Sequence, residues 1–341
     1  MGILDTKNQF SLKEIFFMTK MKAVICTKYG NPDVLEISEI DKPVPKDGEV
    51  LVKINATAAT ASDCVIRGLN VPVGHSFPIK QLMRFGMRMF IGFRKPRNPI
   101  LGLVFSGVVE ATGKNVETFK EGDEVFGFTG LSRGAYAEYK CISNKEIKAG
   151  EITIKPKNAT HEEAVAIVYG GVLATHFLKD ANIKKGQKVL IYGASGAIGT
   201  IALQLAKHLE AEVTAVCSAK NFELVASLGA DKMLDYTKED AIGKLELYDF
   251  ILDAVGKNKT SDFKLASRKS LTQKGSYVSV DDGLLKIQPG YLPKLRKLFE
   301  AKKIHAVIDK TYSLENIVEA HKYVEQGHKK GNVVITIVKE E

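Results

Sequence analysis

The chain has 341 residues, 45% hydrophobic and 26% charged, which suits a large core and predicts two globular domains. It has no run near the ~18 uninterrupted apolar residues of a membrane-spanning helix. Its four cysteines, Cys26, Cys64, Cys141 and Cys217, form no CxxC pair, so neither a disulfide framework nor a cysteine zinc site is indicated and a reducing, cytoplasmic setting is expected.

The net charge of +9 favours anionic partners: a dinucleotide phosphate, nucleic acid or an acidic membrane. With 8% aromatic residues and no tryptophan, the chain offers no stacking platform for single strands, so nucleic acid is not an expected partner. Residues 1–20 read as an N-terminal extension. "MGILDT" fits an N-myristoylation pattern in form, and "SLKEIFFMTK" lacks the long apolar core of a cleaved signal. A strand is predicted from Met21. "VLEISEI" and "EVLVKINAT" follow as strands, broken by "PVPKDG", and "LVFSGVVEATG", "DEVFGFTG" and "AYAEYKCI" continue the pattern with glycine punctuation. An antiparallel, barrel-like domain is expected from them.

From about residue 144 the rhythm changes. "THEEAVAIVYGGVLATHFLKD" opens with Thr160 and Glu163 at capping-box spacing, predicting a helix. Strands "KVLIYG", "EVTAVC", "KMLDY", "YDFILDAVG" and "GSYVSV" then alternate with helices "IGTIALQLAKHL" and "NFELVASLG". Alternation of this kind predicts a parallel sheet with helices on both faces. Helices at "YLPKLRKLFEAKK" and "LENIVEAHKYVEQG" and a strand at "NVVITIV" close the chain.

"YGASGAIG" lies between a strand and a helix, the context of a dinucleotide-binding turn. Ala194, Gly196 and Gly199 take its three small-residue places: tight turn, approach of a diphosphate, and packing of helix on strand. Ser195, Ala197 and Ile198 lie between them, and the N–H groups at the helix start favour a phosphate. A tight turn without a ligand is the alternative. The next strand ends in Cys217, Ser218, Ala219 and Lys220. A carboxylate at this place would bind ribose hydroxyls; here Ser218 and Lys220 would welcome a 2′-phosphate, so NADPH is expected over NADH.

Both halves together resemble the medium-chain dehydrogenase/reductase superfamily, in its zinc-free branch of quinone oxidoreductase and zeta-crystallin type. The resemblance rests on "MKAVICTKYGNPDVLEI", "VPKDGEVLVKINATAATASDCVIRG", "PILGLVFSGVVEATGKNVETFKEGDEVFG", "KKGQKVLIYGASGAIGTIALQLAKHL", "SLGADKMLDY" and "GNVVITI", and it spans nearly everything from residue 21 on. It implies an α/β protein with a GroES-like barrel domain, residues 21–143 and 284–341, and a Rossmann domain, residues 144–283. It also implies a cleft between them and a homodimer. The zinc-dependent branch has a cysteine near Thr60 and a Gly-His-Glu triplet at Gly102, Leu103 and Val104; neither Thr60 nor Leu103 is such a ligand, so no metal is expected.

By the same resemblance, Thr60 would face the substrate oxygen or a water. Ser62 and Asp63 would hold its loop, Asp63 as a helix-start cap. Tyr236 would lie near the adenosine, Val255 and Gly256 would approach the cofactor, and Val280 would sit beside the nicotinamide. Leu173 stands where relatives often have a cofactor-touching threonine, and Gly331-Asn332 where they tend to have Gly-Lys, with Lys330 as a substitute cation.

Residues 71–97 form a longer loop than in compact relatives, rich in methionine and phenylalanine. A helix from Pro78 would put Lys80, Arg84 and Arg88 on one stripe. Three roles fit: a lid over the cleft for a bulky, lipophilic substrate; a core or subunit contact; or a helix lying on a membrane. The function expected is zinc-independent hydride transfer from NADPH to a quinone or α,β-unsaturated carbonyl. The alternatives are an NAD(P)-dependent alcohol dehydrogenase and an NADPH-binding protein with little catalysis.

Overall fold

The structure, a computed structural model, describes residues 19–70, 77–256, 261–283 and 285–337, with side chains from residue 81 in the second stretch. The expected extension, with its acylation pattern, lies almost wholly outside the described residues. The chain opens with strands β1 (Lys20–Cys26), β2 (Leu35–Asp41) and β3 (Glu49–Ala59), then helices α1 (Ala61–Gly68) and α2 (Phe77–Ile91). Strands β4 (Val104–Thr112), β5 (Glu124–Phe128) and β6 (Tyr139–Ser143), helix α3 (Asn144–Ala149) and strand β7 (Ile152–Ile154) follow. The alternating part comprises α4 (His161–Leu178), β8 (Lys188–Tyr192), α5 (Ala197–His208), β9 (Glu212–Cys217), α6 (Phe222–Ser227), β10 (Lys232–Asp235), β11 (Tyr248–Asp253), α7 (Asp262–Lys269) and β12 (Leu271–Ser279). Helix α8 (Tyr291–Glu300), strand β13 (Ile308–Ser313), helix α9 (Ile317–Glu325) and strand β14 (Asn332–Thr336) complete it.

Two larger sheets result. The first runs β13-β14-β3-β4-β5-β7, with β6 also on β3. Its curl originates in β3, whose pairing with β4 shifts register at Leu51/Val52 and again at Ile54/Ala56. Bulges bend a strand and increase its twist. The first half of β3 therefore pairs with β6 and the second half with β14. Gly107 sits at the closest approach: a Cβ there would lie 2.1 Å from the Lys53 carbonyl oxygen.

The second sheet is parallel, in the order β10-β9-β8-β11-β12. The chain leaves β8 to one side for β9 and β10, then returns to its other side for β11 and β12. This reversal opens a crevice beyond the carboxyl ends of β8, β9 and β11, where open α/β sheets bind ligands. Helix α4 joins the halves. Thr160 caps it with Glu163, as expected. At Gly170 it runs so close to α5 that a Cβ would meet the Ala197 carbonyl oxygen at 2.0 Å. The expected α/β architecture, barrel plus doubly wound sheet, is the one observed.

A helix starting at Asp63 was expected, and α1 is that helix; helices α3 and α7 and strands β7 and β13 were not expected. The helices have six to eight residues, too few for a clear apolar period, and β13 has no fully buried position.

Candidate active site

The crevice is a cleft of about 270 Å³ at the carboxyl ends of β8, β9 and β11. Its floor is the glycine turn. Gly193 has φ +81°, the left-handed region where glycine is favoured. Gly196 is the N-cap of α5. Gly199 is explained by the protein itself: a Cβ would lie 2.2 Å from the Gly193 carbonyl oxygen and 2.6 Å from Ala194 Cα. Gly196 is different. Its φ of −83° suits any residue, and a Cβ would meet nothing closer than the Gly193 oxygen at 3.5 Å. Nothing among the described residues demands a glycine there, so the space it leaves open is available to something entering the cleft. With the free N–H groups of the first turn of α5, that space fits a diphosphate.

Of the residues expected to hold a cofactor, Ser195, Gly196, Ser218, Lys220, Tyr236 and Val255 line the cleft. Ala194, Ala197, Ile198, Gly199, Gly256 and Val280 do not line it. Ala194, Ala197, Ile198 and Gly199 are buried in the turn and the first turn of α5, and Gly256 is buried behind Val255. Val280 donates its N–H to the Asp253 carbonyl at 3.0 Å and packs on the core. No carboxylate lines the cleft among the described residues. Asp235, at the end of β10, accepts instead from the N–H of Ala219 at 3.2 Å and from Thr237.

Sequence reasoning missed three contributors. Asn221, buried in the wall, donates to Ser195 Oγ at 3.0 Å, while its Oδ1 has no protein partner. The second is the segment Gly327–Lys329, which forms the far wall of the cleft. It is strapped to the glycine turn because the Gly331 N–H donates to the Ser195 carbonyl at 2.8 Å. Burial draws the Lys329 ammonium down to about 8. The third is the buried pair Asp253–Lys264, Nζ to Oδ2 2.6 Å. Asp253 Oδ1 accepts the N–H groups of Val255 and Gly256, each at 3.1 Å, and Oδ2 accepts the hydroxyls of Tyr277 and Ser279. The pair thus fixes the turn that presents Val255. A carboxylate inside an apolar strand was its only signal in the sequence.

Thr60 and Asp63 are placed at the start of α1. The Thr60 hydroxyl donates to Asp63 Oδ2 at 2.6 Å and accepts the Asp63 N–H at 3.2 Å, a reciprocal capping box. Asp63 also accepts the N–H groups of Thr60 and Gly102. It is fully buried, and burial raises its carboxyl to about 6 against those hydrogen bonds. Neither residue lines the cleft; their capping box fixes the first turn of α1. Ser62 ties α1 to α4 through Tyr169, oxygen to oxygen 2.8 Å.

A buried polar row joins α1 to α9. Arg67 Nε donates to His321 Nδ1 at 3.3 Å, so the ring proton sits on Nε2 and points to the Tyr136 hydroxyl at 3.1 Å. Burial pulls His321 down to about 3, keeping it neutral. Zinc of the family's kind does not fit the residues present. The Thr60 hydroxyl is committed to Asp63, Leu103 is hydrocarbon, and among the described residues no three His, Cys, Asp or Glu converge on a metal position.

The family described as "Alcohol dehydrogenase GroES-like domain" matches residues 46–152, and "Zinc-binding dehydrogenase" matches 197–281 and 283–335. The NAD(P)H oxidoreductase RTN4IP1, mitochondrial, of Mus musculus is 31% identical over 94% of this chain and 90% of its own length. The 2-methylene-furan-3-one reductase of Solanum lycopersicum is 32% identical over 93% of this chain and 79% of its own. Among solved structures, the quinone oxidoreductase of Coxiella burnetii superposes with TM-score 0.78 at 27% identity, over 94% of this chain and all of that one. These names correct the expected cytoplasmic setting. The mouse, human and bovine relatives are named mitochondrial, and unpaired cysteines report a reducing environment without telling one such compartment from another. The chain belongs to the medium-chain dehydrogenase/reductase superfamily, in its quinone oxidoreductase, zeta-crystallin-like branch, and is an NAD(P)H-dependent oxidoreductase.

Proposed function

We propose that the protein reduces quinones or α,β-unsaturated carbonyls with NADPH and without zinc. The observation that carries the reading is the vacancy at Gly196, facing a cleft whose β9 end offers Ser218 and Lys220 and whose lining has no carboxylate. The first-turn N–H groups of Ala197, Ile198 and Gly199 would hold the diphosphate. Ser218 and Lys220 would hold the 2′-phosphate, and Tyr236 would flank the adenine. Val255, Gly256 and the main chain at Val280 would border the nicotinamide. When bound, the nicotinamide supplies a hydride to the acceptor.

A conjugated acceptor spreads the arriving negative charge over its carbonyl oxygen. It therefore needs less electrostatic help than a simple ketone, for which a metal would contribute several kcal/mol. Thr60 and Asp63 act here as positioning residues. Their capping box fixes the first turn of α1 and, through Gly102, the strand end facing it. Relatives named as an oxidoreductase, a furanone reductase, an alkenal/one oxidoreductase and a quinone oxidoreductase support the substrate class. We also propose a homodimer, and a division at residues 143/144 and 283/284. Strand β7 pairs with β5 and so belongs to the barrel, which moves the first of these divisions from 143/144 to beyond Ile154.

Stopped-flow oxidation of NADPH and NADH, against quinones, enones and aldehydes with and without chelator, tests the reading. Turnover of quinones or enones with NADPH preferred, untouched by chelator, is expected. Equal aldehyde turnover that chelator abolishes would overturn it.

A further inference from the structure

From Cys64 to Val109 the sequence has seven lysines and arginines and no aspartate or glutamate. Arg67 is buried and paired with Glu325; the other six lie in α2 or just after it. There, Leu82 is 70% exposed, Phe85 53%, Met89 52%, Phe90 84% and Phe93 58%. Leu82, Phe85 and Met89 are three and four apart and share a face of the helix. Phe93 packs edge-on to Phe85, with ring centroids 6.0 Å apart, and lengthens the stripe. Arg84 and Arg88, four apart and exposed, form a second stripe. Arg97 donates to the Met89 carbonyl at 2.8 Å, and no carboxylate partners Arg84, Arg88, Arg94, Lys95 or Arg97 among the described residues. The end of the helix is anchored to the barrel by the Tyr29 hydroxyl, which donates to the Gly92 carbonyl at 2.8 Å.

This arrangement departs from two of the roles open to the insert. As a lid it would border the cleft, but none of its described residues lines it. As core it would be covered, and it is not. A two-fold contact with a second copy would bring two uncompensated basic segments face to face.

We propose that α2 and the turn after it dock on a bilayer containing anionic phospholipid. Leu82, Phe85, Met89 and Phe90 enter the acyl boundary, and Arg84, Arg88, Arg94 and Lys95 meet the headgroups. An anionic surface with an apolar interior answers both the basic stripe and the apolar one, and this pairing of features marks helices that lie in the interface. Docking gives access to acceptors dissolved in the membrane. That benefit rests on the quinone or enone reading; the docking does not.

The chain has no tryptophan, so F90W is a single reporter. The full-length F90W protein is mixed with phosphatidylcholine vesicles, with or without phosphatidylglycerol, at low and high KCl. Expected are a blue shift and quenching by brominated acyl chains, a partition roughly a thousandfold stronger for the anionic vesicles, and reversal by salt. Adding R84Q/R88Q lowers partition by about thirtyfold, and L82N/F85N abolishes the quenching. Both variants retain NADPH binding, which shows them folded and separates this test from that of the catalytic reading. Equal partition into neutral and anionic vesicles, no partition, or an unchanged R84Q/R88Q would overturn the proposal. So would a shift that follows protein concentration without vesicles, which would assign the stripe to a second copy.

Discussion

Gly196 and Gly199 stand three residues apart, yet replacing each by alanine separates coenzyme binding from folding. In Gly199→Ala the new methyl meets the Gly193 oxygen at 2.2 Å and Ala194 Cα at 2.6 Å. Both are backbone atoms, so α5 must back away from β8. Overpacking of this kind costs about 1–3 kcal/mol, and thermal unfolding should fall by several degrees. In Gly196→Ala the backbone is unstrained and the nearest atom is an ordinary 3.5 Å away, so stability should move by less than about 1 kcal/mol. The methyl would instead occupy the space of the diphosphate. Losing one charge-assisted hydrogen bond, about 1.5–3 kcal/mol, weakens NADPH binding by roughly tenfold to a hundredfold. Calorimetry of the free proteins and a titration followed by NADPH fluorescence read the two effects separately. If Gly196→Ala binds NADPH like the parent, the diphosphate does not lie on this turn. If Gly199→Ala melts unchanged, the helix–strand contact is looser than argued.

Asp253→Asn leaves the Lys264 ammonium buried without its counter-charge, so stability should drop by about 3–5 kcal/mol in denaturant titrations. Asp253→Asn with Lys264→Met should recover part of that loss, because the amide oxygen still accepts from the turn and no unpaired ammonium is left. Lys220→Ala should raise the Kd for NADPH roughly tenfold and leave NADH binding unchanged; equal effects would remove Lys220 from the 2′-phosphate. Lys329 binds its proton at about 8 in the free protein, and a diphosphate favours the charged form. NADPH affinity should therefore be full below about pH 8 and fall as pH rises through it. Lys329→Met should give a flat profile, measured by calorimetry in buffers of different ionisation enthalpy.

The parallel sheet, the glycine turn and the Thr160 cap were legible because each is a local pattern. Short apolar runs of three or four residues, a strand–glycine–helix junction and a Ser/Thr-x-x-Glu spacing all act over a few positions. Lys220 and Ser218 were legible for the same reason, since they follow directly on a strand whose end faces the crevice. The basic, apolar insert was visible too, and its helix begins at Phe77, one residue before the expected start.

What sequence could not give was the partner of each buried charge. Asp253 meets Lys264 of the following helix, Arg67 meets His321 and Glu325 from far along the chain, and Asp63 spends its carboxylate on Thr60 and Gly102. Sequence established the longer elements, because propensity and period are properties of neighbouring residues. The tertiary structure alone decided that residues 327–331 close over the glycine turn and that the apolar stripe of α2 faces outward. Those outcomes depend on which surfaces meet once distant segments compete for the same buried space.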